Sequence, residues 1–342
     1  MTEAAPPRYE NELRRRLSRG AFTAVVECVT PPASASRARS LAPLLELASR
    51  VKGSDSIHAL SVTDRVQCDV DRDPVAIAPG LADASGRMPL VHLAGTRRDR
   101  RSLESALARL AASGLDSALL TTGDPPLRPS GPPLDAVEMI RIARDSDPGL
   151  LIAGVVSPFH DAEDSLQRES ARMAEKEHAG ADFFVAQLGW DMVKAGEVFV
   201  WRRHHRLRAP VLLAVMLLTA ARARWLASVR LPGVTLTREL HDAVAAEEHS
   251  GDRGRAAAYR RLALQIVGAQ HLGYAGFMLV GMQDERKIAR LLTEVDRLKS
   301  EVPTEADWWL AWPGGMSVAA PKRGVYAFDD DPRRREGAHG QE

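Results

Sequence analysis

Cysteine is nearly absent. Cys28 and Cys68 are the two in 342 residues, too few for a zinc cluster or a disulfide framework. Long apolar runs are missing as well, and no stretch approaches the roughly 18 uninterrupted apolar residues of a membrane span. The opening residues, MTEAAPPRYENELRRRL, lack the apolar core of a secretory signal. Charge imbalance is missing too: 46 Lys and Arg face 45 Asp and Glu, so bulk charge attracts neither nucleic acid nor a membrane surface. No Cys/His metal spacing, no serine in a nucleophile elbow, no P-loop and no GxGxxG after the first apolar run is present. These absences leave the expectation of a cytoplasmic, globular chain without a nucleic-acid or membrane partner, with a homo-oligomer left open.

What the chain has instead is a repeating alternation. Short apolar runs rich in β-formers occupy residues 21–28, 56–63, 89–93, 117–121, 151–156, 182–186, 210–216 and 276–280. Helical spacing or helix formers follow each, at 36–51, 73–84, 100–112, a segment ending near 146, 162–179, 192–203, three pieces within 220–272, and 284–300. Within 151–191 a strand, a helix and a strand follow in about forty residues, with Ala179-Gly180 as the helix stop. Eight such strands, with no Asn-Gly or Asp-Gly hairpin signal, predict an α/β fold of the (β/α)8 TIM-barrel type with extra helices between strands 7 and 8. A doubly wound open sheet is the competitor, weakened by the missing nucleotide fingerprints. The expected spans are a partly disordered N-terminal segment over 1–19 with a charged helix at 10–17, a catalytic barrel over 20–300, and a C-terminal extension over 301–342. Trp308, Trp309 and Trp312 are expected to pack that extension onto the barrel before a disordered polar end.

In a barrel, chemistry gathers at the C-terminal ends of the strands. There the sequence offers Glu27, Thr63, His92, Asp124, Ser157 with His160, and Gln187. The helix after strand five adds Glu169 and Lys176, two turns apart on one face, roughly 10.5 Å at 1.5 Å per residue. Most have a plainer reading. His92 alone is more often a hydrogen-bonded core histidine, Asp124 in TGDPP is also turn chemistry, and Glu169 with Lys176 is also a solvated charged face. The basic cluster from Arg202 to Arg208 reads as the cationic end of a helix. Glu27 differs, because a carboxylate inside VVECV is expensive to bury unless paired or tuned. The recurrence of polar residues at strand ends is what predicts a site.

Taken together these residues resemble the methylenetetrahydrofolate reductases, flavin-containing (β/α)8 barrels, over most of residues 20–300. Val26-Glu27 with Pro31-Pro32 resembles that family's Phe-Glu-Phe-Phe-Pro-Pro strand, with one extra residue before the prolines. Ser61-Val62-Thr63 matches its Ser-Val-Thr, Pro89 to His92 its Pro-His-Leu, and Gly123-Asp124 with the following prolines its Arg-Gly-Asp-x-Pro-Pro. Lys176, Ala179-Gly180-Ala181 and Gln187 repeat its Lys-Val-x-Ala-Gly-Ala…Thr-Gln at the same spacing, and Val229-Arg230-Leu231-Pro232 is similar to its Val-Arg-Ile-Pro.

The resemblance implies reduction of 5,10-methylenetetrahydrofolate to 5-methyltetrahydrofolate, a step of one-carbon metabolism and methionine biosynthesis, with FAD and NAD(P)H and no metal. Glu27 would be the general acid that opens the five-membered ring to a 5-iminium cation, and burial is expected to raise its pKa. Asp124 would stabilise that cation beside flavin and pterin, and Gln187 would hydrogen-bond the folate. Thr63, His92, Thr122, Ser157, His160, Glu169 and Lys176 would contact FAD, Glu169 and Lys176 toward its ribose and phosphates. Departures are visible. Thr122 stands where the family has Arg, and Ser157-Pro158 replaces its Tyr-Pro, with the loop before His160 one residue shorter. Ala220-Ala221 lies where a stacking aromatic is expected, with Trp225 close by, and strand eight ends Leu279-Val280-Gly281-Met282-Gln283 instead of His-Phe-Tyr-Thr-Leu-Asn. Three functions follow: a reductase using FAD with NAD(P)H, or NAD(P)H directly if the flavin has been lost; a tetrahydrofolate-dependent methyl or one-carbon transferase; or a non-catalytic folate-binding homologue.

Overall fold

A computed structural model describes residues 9–31, 37–64, 73–124, 132–160, 162–229, 231, 233–312 and 327–328. The disorder expected for 1–8 and for most of the tail beyond 312 lies outside the described residues, as do the prolines after Asp124. The elements run α1 (Glu12–Ser18), β1 (Thr23–Cys28), α2 (Arg37–Val51), β2 (Ala59–Val62), α3 (Pro74–Ser85), β3 (Leu90–Ala94), α4 (Arg100–Ala112), β4 (Ser117–Thr121), α5 (Ala136–Ser146) and β5 (Leu151–Val156). Then come α6 (Glu163–His178), β6 (Phe183–Ala186), α7 (Met192–His205), β7 (Val211–Met216), α8 (Ala220–Val229), α9 (Arg238–Glu247), α10 (Arg255–His271), β8 (Gly276–Val280), α11 (Glu285–Glu301) and α12 (Glu305–Ala311). The strands close into a barrel in chain order, β1 to β8. This is the (β/α)8 fold that the alternation predicts; closure removes the sheet edges that a doubly wound fold would leave.

Packing divides the chain into two compact units, the first from the described residues of Met1–Val155, Lys176–Phe184 and Gln283–Glu285. In it β1 to β5 pair in parallel, with Val26 beside Leu60, Val62 beside Val91, His92 beside Leu119 and Ala118 beside Ile152. Helix α1 is tied to the N-terminal strand ends: Asn11 donates to Asp116 and Ser117, and Met88 N–H donates to the Glu10 carbonyl. Helix starts follow local chemistry. Asp73 caps α3 with Pro74 in the first turn, and Asp99 with Ser102 forms a capping box on α4.

Strand β2 is shorter than the predicted 56–63, for a specific reason. At its start the Ala24 N–H donates to the His58 ring Nδ1 (2.8 Å), while the His58 N–H donates to the Ala24 carbonyl (2.9 Å). At its end the Thr63 N–H donates to the Cys28 carbonyl (3.2 Å), after which the Thr30 N–H donates to the Thr63 hydroxyl (3.0 Å) and the Thr30 hydroxyl donates to the Thr63 carbonyl. At each end side chains take over just beyond a last backbone bond.

The second unit comprises the described residues of Val156–Glu175, Val185–Met282 and Arg286–Glu342. Asp191 caps α7 by accepting from Val193 and Lys194, and α11 buries Ile288, Leu291, Val295 and Leu298, an i, i+3, i+7, i+10 stripe. Helix α12 was not predicted, although Thr304 and Asp307 form a legible capping box. It packs on α10 as the tryptophans suggested: Trp308 is fully buried and donates to the Leu264 carbonyl (2.8 Å). Helices α8 and α9 supply the extra helices expected between strands 7 and 8.

Every strand residue is buried except Glu27, His92, Thr121, Val155 and Val280. Four of these five occupy the last or next-to-last position of their strand, so solvent meets the strands chiefly at their C-terminal ends.

Candidate functional site

Glu27 is the one charged residue in the eight strands. It is half-buried, level with Ser61 of β2, and next to Cys28, whose buried thiol is pushed up to about 12 by desolvation and, secondarily, by the Glu27 charge. Gln283 reaches the Glu27 carbonyl at 3.4 Å. Just past β2, Asp64 pairs with Arg98 and accepts the Ala94 N–H (2.9 Å), while Arg98 also donates to the Ala94 carbonyl (2.9 Å). This ion pair fixes the ends of β2 and β3. The sequence reading passed over it; an Asp directly after Ser-Val-Thr was its signal.

His92 carries a buried Nε2 with no hydrogen-bond partner among the described residues, and burial pushes its pKa down to about 4. The Thr96 hydroxyl is likewise buried and unpartnered. It lies against Gly123, where a Cβ would come within 2.9 Å of that oxygen and 2.8 Å of the Ala94 Cβ. Gly123 also has φ +84°, so both close approach and backbone require glycine. Asp124 follows it, half-buried, with its pKa raised by desolvation. Thr122 turns back on its own chain: its hydroxyl accepts the Ala136 N–H (3.2 Å) and its carbonyl the Thr96 N–H (2.8 Å).

Lys176 is 7% exposed and donates to the Val155 carbonyl at 2.6 Å. Its stem passes over Gly154, where a Cβ would lie 3.6 Å from the lysine Cδ. In the second unit, Glu169 accepts the Ser157 N–H (3.0 Å), and the Ser157 hydroxyl donates to the Gly233 carbonyl (3.4 Å). A Cβ at Gly233 would lie 3.0 Å from Ser157 Oγ and 3.6 Å from Gln187 Cγ, so this turn covers the ends of β5 and β6. Gln187 Oε1 accepts the Leu188 N–H (2.8 Å). The His160 carbonyl accepts from Lys194 Nζ (2.6 Å), a buried lysine that the sequence reading missed although it interrupts an apolar helix.

A model of the methylenetetrahydrofolate reductase family matches residues 12–296. The chain belongs to that family. No curated protein matches it significantly. Among solved structures, a Clostridium thermocellum protein described as binding two copies of 5-methyl-5,6,7,8-tetrahydrofolic acid superposes with a TM-score of 0.64 at 13% identity, covering 84% of this chain and 99% of that one. A 2,3-dimethylmalate lyase (TM-score 0.47, 13% identity, 96% of each chain) and a phosphonopyruvate hydrolase (0.46, 12%, 96% and 97%) are more distant.

Methylenetetrahydrofolate reductase family membership raises the question whether FAD fits. Of the positions that the resemblance assigns to it, Thr63, Thr122, Glu169 and Lys176 each satisfy a backbone group of this chain, and Arg and Tyr are replaced by Thr122 and Ser157. The orphaned His92 Nε2 is one polar atom still calling for a partner. The imidazoles of the set, His92 and His160, do not by themselves make a diphosphate clamp, so these residues do not fit FAD. No cluster of three His, Cys, Asp or Glu side chains that could hold a metal occurs among the described residues. No described helix is long and apolar enough to cross a membrane.

Proposed function

We propose that this chain reduces 5,10-methylenetetrahydrofolate to 5-methyltetrahydrofolate, with Glu27 as general acid and a reduced nicotinamide dinucleotide as the electron source. The observation that carries this reading is Glu27 itself: the one carboxylate within the eight strands, near the C-terminal end of β1 and half-buried, in a chain of this family. Protonated Glu27 gives its proton to N10 as the bond between N10 and the bridging methylene breaks. The bond pair goes to N10, and the N5 lone pair forms the C=N of a 5-iminium cation. Hydride supplied by the reduced dinucleotide, directly or through a carrier, adds to the iminium carbon, giving the methyl group and the oxidised dinucleotide. Solvent reprotonates Glu27. Asp124, in the same unit, stabilises the cation as a carboxylate, and the Gln187 amide hydrogen-bonds the pterin. The ligand described for the Clostridium thermocellum protein is the product of this reaction.

A second reading is a folate-binding homologue without turnover, favoured by the inward commitment of Thr63, Thr122, Glu169 and Lys176. An assay separates the two. Dinucleotide oxidation that depends on methylenetetrahydrofolate, reduced about 10²- to 10⁴-fold in a folded Glu27→Gln variant, supports the reductase. Binding of 5-methyltetrahydrofolate without turnover, with either dinucleotide and with or without flavin, replaces it by the second reading.

A further inference from the structure

FAD is a diphosphate, so a protein that holds it must supply a cation or several N–H donors to two phosphates, and further donors to its ribose and ring. At four of the positions that the resemblance assigns to FAD, the side chain completes the rim of the barrel. Lys176 lies along Gly154 and closes the Val155 carbonyl at the end of β5. Thr63 exchanges hydrogen bonds with the fully buried Thr30 just beyond the last β1–β2 backbone bond, from the Thr63 N–H to the Cys28 carbonyl (3.2 Å). Thr122 accepts the N–H of Ala136 at the start of α5, and Glu169 accepts the N–H of Ser157 just past β5. Turning any of the four toward a ligand leaves a backbone group without its partner, and a buried group left so is costly. The one cation of the set, Lys176, is 7% exposed.

We infer that the barrel is flavin-free: these four side chains are rim clamps, and hydride passes in one step from NAD(P)H to the iminium carbon. The second clause rests on the reductase reading above; the first stands on the hydrogen bonds alone. The step balances without a relay. The C4–H bond of the dihydronicotinamide breaks with both electrons, the new C–H bond forms at the folate methylene, and the dinucleotide leaves oxidised.

Two measurements on the full-length protein test this. The first follows deuterium from NADH and NADPH labelled at C4, each stereoisomer in turn. A reduced flavin carries hydride at N5, where it exchanges with solvent, whereas direct transfer keeps the label. The expected product of one stereoisomer is 5-methyltetrahydrofolate with one deuterium in its methyl group. Turnover that gives unlabelled methyl from both stereoisomers overturns the inference and leaves the reductase reading intact. The second is a titration with FAD alone, followed by flavin fluorescence, in which no saturable quenching is expected up to about 0.1 mM. Saturable binding in that range overturns the flavin-free claim. If no turnover is found at all, the reductase reading fails, and the titration still decides the flavin.

Discussion

His58 and His92 are both held neutral, by different means. His58 is wired on both nitrogens: Nδ1 accepts the Ala24 N–H, so Nε2 carries the proton and faces the Asp55 carbonyl at 3.1 Å. Burial, aided by nearby Arg16, pushes its pKa down to about 4, and burial alone does the same for His92. Each is therefore depressed below the ordinary 6.5, so the unfolded chain binds the extra proton first. Stability is full above pH 6.5 and is lost as pH falls from 6.5 toward 4, together on the order of a few kcal/mol. Thermal melts across this range should fall in Tm, and His58→Gln and His92→Gln should each flatten the slope; an unchanged slope in both removes the assignment. Asp124 has the opposite sign. Its raised pKa means that its charge opposes folding at neutral pH. Asp124→Asn is expected to leave stability equal or raise it by less than about 1 kcal/mol while turnover falls at least tenfold. A variant that is active but unstable contradicts both halves. At this scale the sequence made Glu27 legible, because a carboxylate between valines and a cysteine needs a reason. It did not make His58 legible, because its partner Ala24 is 34 residues away.

Helices and strands were legible where their signals are local. The capping residues Asp73, Asp99, Asp135 and Asp191 stand directly before the helices they start. The same signal before α12 was overshadowed by three tryptophans, whose packing decides that element. Trp308 fits against Gly268 of α10, where a Cβ would come within 2.0 Å of the indole. Trp308→Ala should cost about 3–5 kcal/mol in denaturant unfolding, and Gly268→Ala should also destabilise because the indole must move. A loss under about 1 kcal/mol in Trp308→Ala would show that α12 is not part of the cooperative unit. The tail docks in the second unit as well. Ala327 is 1% exposed, its N–H donates to buried Glu197 (3.4 Å), its carbonyl accepts from Gln167 (3.3 Å), and Phe328 stacks on His204 at 3.9 Å. Hydrogen exchange should find the Ala327 amide protected, and Phe328→Ala should remove that protection. An amide exchanging at the unfolded-chain rate in the native protein rules out the docking.

For the molecule as a whole, folate binding should appear as stabilisation. At 100 times its Kd, 5-methyltetrahydrofolate should add about 2.7 kcal/mol, seen as a rise in Tm. Gln187→Ala should shrink that rise at fixed ligand concentration, whereas Glu27→Gln should keep it while losing turnover. No rise at any concentration would remove the folate reading. The fold class followed from the sequence by itself, because eight apolar runs alternating with helical periodicity have few ways to bury every strand, and a closed parallel barrel is one that needs no hairpin. The identity of the polar residues at the strand ends also followed, since each stands within a few positions of an apolar run. Only the tertiary structure decided which of them hold backbone groups at the strand ends. Glu27 and Asp124 stay half-open to solvent, but Thr63, Thr122, Glu169 and Lys176 meet backbone groups from 12 to 33 residues away. A hydrogen bond across such a distance leaves no mark in local pattern, because the packing of each strand end against the next element creates the pairing.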